Sequence, residues 1–575
     1  LPPGIEARVR RGGLPAHEWP PSVDPASETQ PAANPALLSR DQQDACALVV
    51  AAMRAHLPNV FVLHGVTGSG KTHVFLEAAD EALRANQQVI VLVSDISLTP
   101  ELVARIDGRF PGRVGVLHSS LADGARARTW RAIHDGALSV IVGTRSALFA
   151  PAHHPGLIVL DEEHEPSYKQ DATPRYHARD VAIQLGRLAR LPVVLSSATP
   201  DICTYYRAEQ GEYRLLTLPE RVVENHGRIV RAPLPRVEIV DMRQELKSGH
   251  SGLVSRSLND HLGHTLRAGL QAMLFLNRRG AATALSCRAC GQALECRRCS
   301  VPLGFHESRN LLICHRCGRS REAPGHCPRC GEARLLPLGA GVQKVEAEVR
   351  RLFPSARVIR WDRDSTGSRG AHQELWRSFS AHESDILVGT QMIGKGLDFP
   401  DVGLVGIVLA ETQLFLPDYR AAERTFEILT QVAGRAGRRA ELGGQVVLQT
   451  YVPQHYAIRA ASRHDYLDLY RRELSFRRQQ AYPPFRPLIR LVFSASNEGR
   501  AHDEADRLGR SLREESDRAA LSDVQIIGPA PSFIARLRGR YRWHIVLAGS
   551  DGPRLLDAVV PGRGWIVDVD PLDTL

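Results

Sequence analysis

The residues best suited to chemistry begin at Gly65. The run Gly65-Val66-Thr67-Gly68-Ser69-Gly70-Lys71-Thr72 follows the apolar stretch Asn59–Leu63 and opens an amphipathic one. Strand, glycine-rich turn and helix in that order make a phosphate cradle. Glycines let backbone N–H groups close around an anion, and the helix N-terminus adds favourable dipole charge. There Lys71 would neutralise the β/γ-phosphates of a nucleoside triphosphate, with Thr72 on Mg²⁺. The competing reading is a plain glycine-rich strand–helix turn.

A second acidic motif supports the first. Leu157–Leu160 reads as a buried strand ending in Asp161-Glu162-Glu163-His164. Asp161 can hold Mg²⁺ through water, and Glu162 can polarise the water that attacks the γ-phosphate. Alone, the cluster would read as a solvated turn. Gln42, in Leu38–Ala45, has two readings: it contacts adenine, or it is a surface glutamine. Farther on, Gln431-Val-Ala-Gly-Arg435-Ala-Gly-Arg438 spaces two arginines three apart, which predicts one helical turn and one face. An arginine reaching the γ-phosphate stabilises the transition state of phosphoryl transfer.

Eight of the ten cysteines fall in four Cys-x-x-Cys pairs: Cys287/Cys290, Cys296/Cys299, Cys314/Cys317 and Cys327/Cys330. Thiolates at this spacing suit two closed, structural Zn²⁺ sites, and the pairing is not fixed by spacing. His306, His315 and His326 lie nearby and read as surface residues, because the cysteines suffice for both ions. Tyr168, Lys169, Tyr176 and His177 alternate rings with cations, which suits single-stranded DNA; a loop pinned by its tyrosines is the alternative. Arg536, Arg538, Arg540 and Arg542 alternate across a turn at Gly539. That predicts either a one-faced phosphate track or a charged edge strand.

These residues need a scaffold. Short apolar runs (Val60–Leu63, Val89–Val93, Val140–Val142, Leu157–Leu160, Val193–Leu195) alternate with amphipathic stretches, as in a parallel sheet covered by helices. A second alternation covers Val237–Val240, Met273–Leu276, Val358–Ile359, Ile386–Val388, Leu404–Leu409 and Gln445–Gln449, interrupted by the cysteines. The expected fold is α/β: two parallel-sheet lobes, a two-zinc insertion in the second, and a small α+β C-terminal domain. The expected boundaries are a linker or remnant of a missing domain at 1–36 and a nucleotide-binding lobe at 37–222. The second lobe occupies 223–286 and 336–455, the metal insertion 287–335 and the last domain 456–575.

At 575 residues the chain predicts about four compact units. With 43% hydrophobic and 24% charged residues it is neither disordered, collagenous nor a disulfide scaffold. No apolar run approaches the roughly 18 residues that span a bilayer, and the N-terminus lacks a signal peptide's apolar core. A cytoplasmic protein without a membrane partner is therefore expected. Net charge is +10, which favours nucleic acid as the partner.

Taken in order, GVTGSGKT, VGTRSALFAP (Val142–Pro151), DEEH, SATP (Ser197–Pro200), NRRG (Asn277–Gly280), GTQMIGKGLDFP (Gly389–Pro400), PDYRAAERT (Pro417–Thr425) and QVAGRAGR resemble the bacterial primosomal replication-restart helicase (PriA) family of superfamily 2. The resemblance runs from about Leu37 to the C-terminus, through Gly528–Trp543 and Asp568–Pro571. It implies RecA-like lobes and an ATP-dependent 3′-to-5′ DNA helicase at stalled or repaired forks, initiating primosome assembly and replicative helicase loading. It also implies nucleotide contacts from Gly396, Asp398 and Gln431, and DNA contacts from Arg145, Thr390, Lys395 and the aromatic-rich loop.

By the same resemblance, Cys287, Cys290, Cys327 and Cys330 share one ion, and Cys296, Cys299, Cys314 and Cys317 the other. Its implied partners are forked and single-stranded DNA, helicase-loader proteins and single-strand binding protein, in a bacterial nucleoid-associated setting. Departures stand at His73, Ser94, Gln343, Gly394 and Leu397. The family's N-terminal DNA-binding region lacks a counterpart in this sequence, so weaker fork specificity is expected. The alternative of another class is a non-catalytic fork-binding adaptor that recruits loaders through the zinc insertion.

Overall fold

Runs of Val, Ile and Leu set the sheets, because β-branched side chains pack well on a pleated surface covered from both sides. The computed structural model describes residues 38–574 apart from 95–99, 120, 226–227, 278–282, 300, 307–309, 334, 338–340, 363–370, 391–398, 400 and 438–443. The chain divides into two compact units, Leu1–Ala232 and Pro233–Leu575.

The first unit contains β1 (Val60–Gly65), β2 (Gln88–Leu92), β3 (Val114–Leu117) and β4 (Val140–Gly143). It continues with β5 (Pro155–Asp161), β6 (Val193–Ser197) and β7 (Arg214–Leu218). These seven pair in the order β3-β4-β2-β5-β6-β1-β7, all parallel. Alternate side chains feed two cores. Phe61, Leu63, Val89 and Val91 pack on one face with helix α1 (Arg40–Arg54) and helix α2 (Lys71–Arg84); Val60, Val62, Ile90 and Leu92 pack on the other. Both strands absent from the sequence reading, β3 and β7, are sheet edges with alternating or mostly exposed side chains, so no continuous apolar run marks them. The hairpin β8 (Arg221–Asn225) and β9 (Arg228–Ala232) closes this unit.

The second unit opens with β10 (Arg236–Asp241) and β11 (Gln271–Leu276). Five short strands follow: β12 (Thr283–Cys287), β13 (Gly304–His306), β14 (Leu311–Ile313), β15 (Ser320–Glu322) and β16 (Leu335–Pro337). They form their own antiparallel sheet, an insertion in the parallel alternation. The alternation resumes with β17 (Val358–Trp361), β18 (Ile386–Gly389), β19 (Val402–Val408) and β20 (Gln445–Thr450), in the parallel order β10-β20-β19-β11-β18-β17.

The chain ends in β21 (Leu488–Ala495), β22 (Gln525–Leu537), β23 (Arg540–Ala548) and β24 (Trp565–Val569), an antiparallel sheet ordered β22-β23-β21-β24. The helix Glu498–Arg518 lays Ala501, Ala505, Leu508 and Leu512 on it, the helical period of an amphipathic face.

The PDYRAAERT motif builds the joint within this second unit. Arg420 and Arg477 both bond Glu423, at 2.8 and 2.7 Å, and Arg424 bonds Asp418 at 2.8 Å, all nearly solvent-free. Arg424 also donates to Leu572 O, and Tyr419 stacks on Tyr482 with centroids 4.9 Å apart. Buried charges so paired tie helix Ala421–Ala433 to helix Tyr466–Gln479 and to the C-terminal segment.

Candidate nucleotide, DNA and metal sites

In the parallel sheet β5, β6 and β1 are neighbours, so the loops after their carboxyl ends converge. The loop after β1 is the glycine-rich turn. Gly68 and Gly70 hold φ of +81° and +76°, and a Cβ on Gly70 would lie 2.2 Å from Gln42 Nε2. A Cβ on Gly65 would lie 2.3 Å from Ser69 Oγ. The turn is braced from behind: Val66 N donates to Leu218 O at 3.2 Å, and Val222 N to Gly68 O at 3.0 Å.

Gln42 is fully buried, which excludes the surface-glutamine reading. Its amide donates to Ser69 O at 2.8 Å, and its Oε1 accepts from Ser39 N at 2.7 Å. Ser39 and Gln42 form a capping box on α1. This helix start therefore grips the cradle. The Ser-x-x-Gln spacing was the signal that could have exposed this bracing role.

Lys71 starts α2 and is 9% exposed. Its Nζ donates to Gly65 O at 2.8 Å and Val66 O at 3.4 Å. Burial lowers its pKa, against the pull of Glu162 and Asp161. Burial and the neighbouring Glu162 push Asp161 up to about 6, while Lys71 and a 3.1 Å bond from Ser196 Oγ oppose them. Glu162 adopts the left-handed backbone region at φ 49°.

Four buried polar atoms here lack a hydrogen-bond partner within the protein: Thr67 Oγ1, Ser69 Oγ, Glu162 Oε2 and Thr199 Oγ1. Such atoms are few in native structures. All four lie in the cradle or in the loops after β5 and β6. With half-buried Thr72 on the first turn of α2, this donor and acceptor set fits a triphosphate and its hydrated Mg²⁺.

Two residues of the DEEH motif do other work that local sequence does not disclose. Glu163 is solvent-free and accepts from Asp201 N at 2.8 Å, Arg179 Nη1 at 3.1 Å and Thr204 Oγ1 at 3.2 Å. His164 Nδ1 sits 2.7 Å from Ser197 Oγ. Together they clamp the loop after β5 to the loop after β6.

The aromatic loop differs from its expected role. Tyr168 is only 1% exposed, with its hydroxyl 2.6 Å from Asp161 O and 3.0 Å from Leu92 O. No ring face is open for a base, so the pinned-loop alternative describes Tyr168. Lys169 and His177 are also buried and face each other across an isolated bridge; His177 Nδ1 caps the following helix by accepting from Arg179 N. Arg145 donates to Ser167 O at 2.9 Å and to Lys169 O, holding this loop. Tyr176 is half-buried, edge-on to Phe149 at 5.5 Å. Phe149 is 51% exposed, and sequence reasoning passed over it.

In the second unit, Gln431 lies in the last turn of helix Ala421–Ala433. That helix ends before Arg435, which sits in the following turn and not on a helical face as expected. Gly434 caps the helix, and Gly437 turns through φ +62° with its N–H on Val402 O. Thr390 follows β18, its N–H on Trp361 O at 3.3 Å. Arg438, Lys395, Gly396 and Asp398 lie outside the described residues.

The cysteines form two quartets, Cys287/Cys290/Cys327/Cys330 and Cys296/Cys299/Cys314/Cys317, each with its sulfurs within 4.8 Å of one another. The sulfurs lie 3.6 Å apart for Cys287–Cys330, 3.8 Å for Cys290–Cys327 and 3.8 Å for Cys296–Cys317. Zinc–sulfur bonds of about 2.3 Å in a tetrahedron place sulfurs roughly 3.8 Å apart, so both quartets fit Zn²⁺. Burial and neighbouring sulfurs push Cys290 up to about 12 and Cys299 to about 11, so each quartet ionises fully only against a cation.

His315 is not a surface residue: it is 2% exposed, its Nδ1 donates to Pro531 O at 3.0 Å, and its ring meets Phe533 edge-on. The second quartet thus seats the insertion on the C-terminal sheet.

Comparison with known proteins agrees with this layout. Family models match at residues 39–206 (DEAD/DEAH box helicase), 296–321 (PriA DNA helicase Cys-rich region domain), 362–440 (helicase conserved C-terminal domain) and 478–572 (primosomal protein N C-terminal domain). The chain is 44% identical over 488 residues to the replication restart protein PriA of Bacillus subtilis (strain 168), covering 85% of this chain and 59% of that protein. It is 40% identical over 547 residues to the replication restart protein PriA of Treponema pallidum (strain Nichols), covering 94% and 80%. Among solved structures, RecG bound to a three-way DNA junction aligns over 74% of this chain and 46% of its own, at 14% identity and TM-score 0.43. A score that low carries no functional argument.

Proposed function

Because this chain belongs to the family of PriA replication restart proteins, we propose that it is an ATP-driven DNA helicase that acts at forks to restart replication. The observation that carries the reading is the phosphate cradle, in which Lys71, Asp161 and Glu162 converge beside unpaired buried hydroxyls. Lys71 exchanges its carbonyl partners for the β/γ-phosphates, and backbone N–H groups of the turn take the remaining oxygens. Thr72 and Asp161 would hold Mg²⁺, which would supply charge neutralisation at those phosphates.

Glu162 orients the attacking water and takes its proton. Arg435 and Arg438 offer positive charge to the departing γ-phosphoryl group. The clamp of Glu163 and His164 couples this site to the loop after β6. Tyr168 links the aromatic loop directly to Asp161, so movement of that loop would be felt at the metal ligand.

The finer reading is 3′-to-5′ translocation, followed by primosome assembly and replicative helicase loading. It rests on family membership and extends to a chain that spans 59% of the Bacillus subtilis relative. The test is displacement of a labelled strand from partial duplexes carrying a 3′ or a 5′ single-stranded tail, with ATP turnover followed in parallel. Turnover stimulated by DNA, with displacement on the 3′-tailed substrate, is expected. Tight fork binding without turnover would leave the non-catalytic adaptor.

A further inference from the structure

Strands β22 and β23 form an antiparallel hairpin whose tip carries unusual chemistry. From Gln525 to Ala548 there is no Asp or Glu, while Arg536, Arg538, Arg540 and Arg542 crowd one end. The register sets Arg536 opposite Tyr541 and Leu537 opposite Arg540. Directly opposed residues in an antiparallel pair share a face, and neighbours along a strand alternate. Arg536 and Tyr541 therefore occupy one face, and Leu537, Arg540 and Arg542 the other. The turn at Arg538 (φ +50°) and Gly539 (φ +78°) stands at the apex.

The four arginines are thus not a one-faced track. The two-residue turn, which sequence alternation alone ignores, changes the parity. The guanidinium of Arg536 lies over the Tyr541 ring at 5.2 Å. Residues 536–540 are all exposed, and Ile534 and Leu537 keep 48% and 47% of their surface in water at this cationic tip.

A blade with cations on both faces and apolar side chains near its end suits a gap between two phosphate backbones, where the apolar end can meet a base pair. We propose that the Ile534–Arg542 hairpin tip inserts where two DNA strands diverge, each face against one backbone. This rests on the DNA-helicase reading above and assigns it a contact. Charge favours nucleic acid over an acidic protein because the arginines face opposite ways, as two backbones would require.

The test compares the full chain with Arg538→Ala/Arg540→Ala and with Leu537→Ser, using zinc content and thermal unfolding as fold checks. Anisotropy of a labelled fork and of an equally long single strand is read across a salt series. For the double variant, fork affinity should fall about tenfold. The salt slope should drop by roughly two, since each phosphate contact contributes about 0.9. Single-strand affinity should change less than threefold.

Leu537→Ser should leave fork affinity nearly intact and slow strand displacement several-fold. Equal losses on fork and single strand would overturn the two-backbone assignment in favour of a one-strand track. Unchanged fork affinity and slope would overturn it in favour of a charged edge strand. Retained fork binding with lost binding of poly-glutamate would reassign the tip to an acidic protein. If the wild-type chain binds no fork, the helicase reading itself fails; if it binds and the variants match it, only the hairpin assignment fails.

Discussion

At the scale of single residues, Lys71 has the most clearly defined task. Its ammonium is buried and rests on Gly65 O and Val66 O, partners that a phosphate would replace with far stronger charge pairing. Lys71→Ala should lower ATP turnover by at least a hundredfold, on the order of 3 kcal/mol of transition-state stabilisation. Zinc content should stay at two ions per chain, measured by atomic emission on the same sample. Residue identity alone said less about Tyr168. An aromatic beside a lysine suits base stacking, but the fold spends its hydroxyl on Asp161 O and Leu92 O and closes its ring. What decided its role was a carbonyl seventy-six positions away, which no local pattern encodes.

At the scale of elements, the zinc insertion and one helix cap give separate predictions. The insertion has a small apolar core, centred on Leu285, Leu294, Leu303 and Leu312, and much of its cohesion would come from the two Cys₄ sites. Structural Zn²⁺ contributes on the order of 10–16 kcal/mol to such modules. Chelation should unfold the region around β12–β16, read as loss of amide-exchange protection there, while the first unit keeps its protection. Since His315 joins the insertion to Pro531 O, protection at β22 should weaken as well.

The cap is His455, whose Nδ1 accepts from Ala457 N at the start of helix Tyr456–Ser462. Burial lowers its pKa from the usual 6.5 to about 4. The unfolded chain therefore binds the extra proton first as pH falls. The stabilisation is complete above about 6.5 and is lost progressively toward 4, at most about 3 kcal/mol. Urea midpoints at pH 7.5 and 5.0 should show the drop. His455→Asn keeps an acceptor at the cap without a titrating ring and should flatten that pH dependence.

At the scale of the whole molecule, charge and division into units matter most. Net charge is +10, and no described helix is long and apolar enough to cross a membrane. DNA affinity resting on phosphate contacts should fall by roughly 10³ between 50 and 200 mM salt if about six phosphates are neutralised. A titration by anisotropy measures it directly, and a shallow salt slope would point to binding dominated by base stacking. The nucleotide cradle belongs to the first unit and Arg435 to the second.

Sequence alone determined what chemistry the chain carries. A lysine and threonine after spaced glycines, acids after an apolar strand and eight paired cysteines are covalent facts, and strand and helix periods follow from burial on one or two sides. That sufficed for the α/β class, the cradle and two four-cysteine metal sites, while which cysteines share an ion was implied only by the family resemblance. Tertiary structure decided which of these residues are free to act. It buried Gln42 as a brace, closed Tyr168 and His315 inside contacts, ended the helix before Arg435, and set the hairpin arginines on two faces rather than one. The reason is the range of the interactions. Motifs are written in neighbours along the chain, whereas burial, register and hydrogen-bond satisfaction are settled by partners that only folding brings within reach.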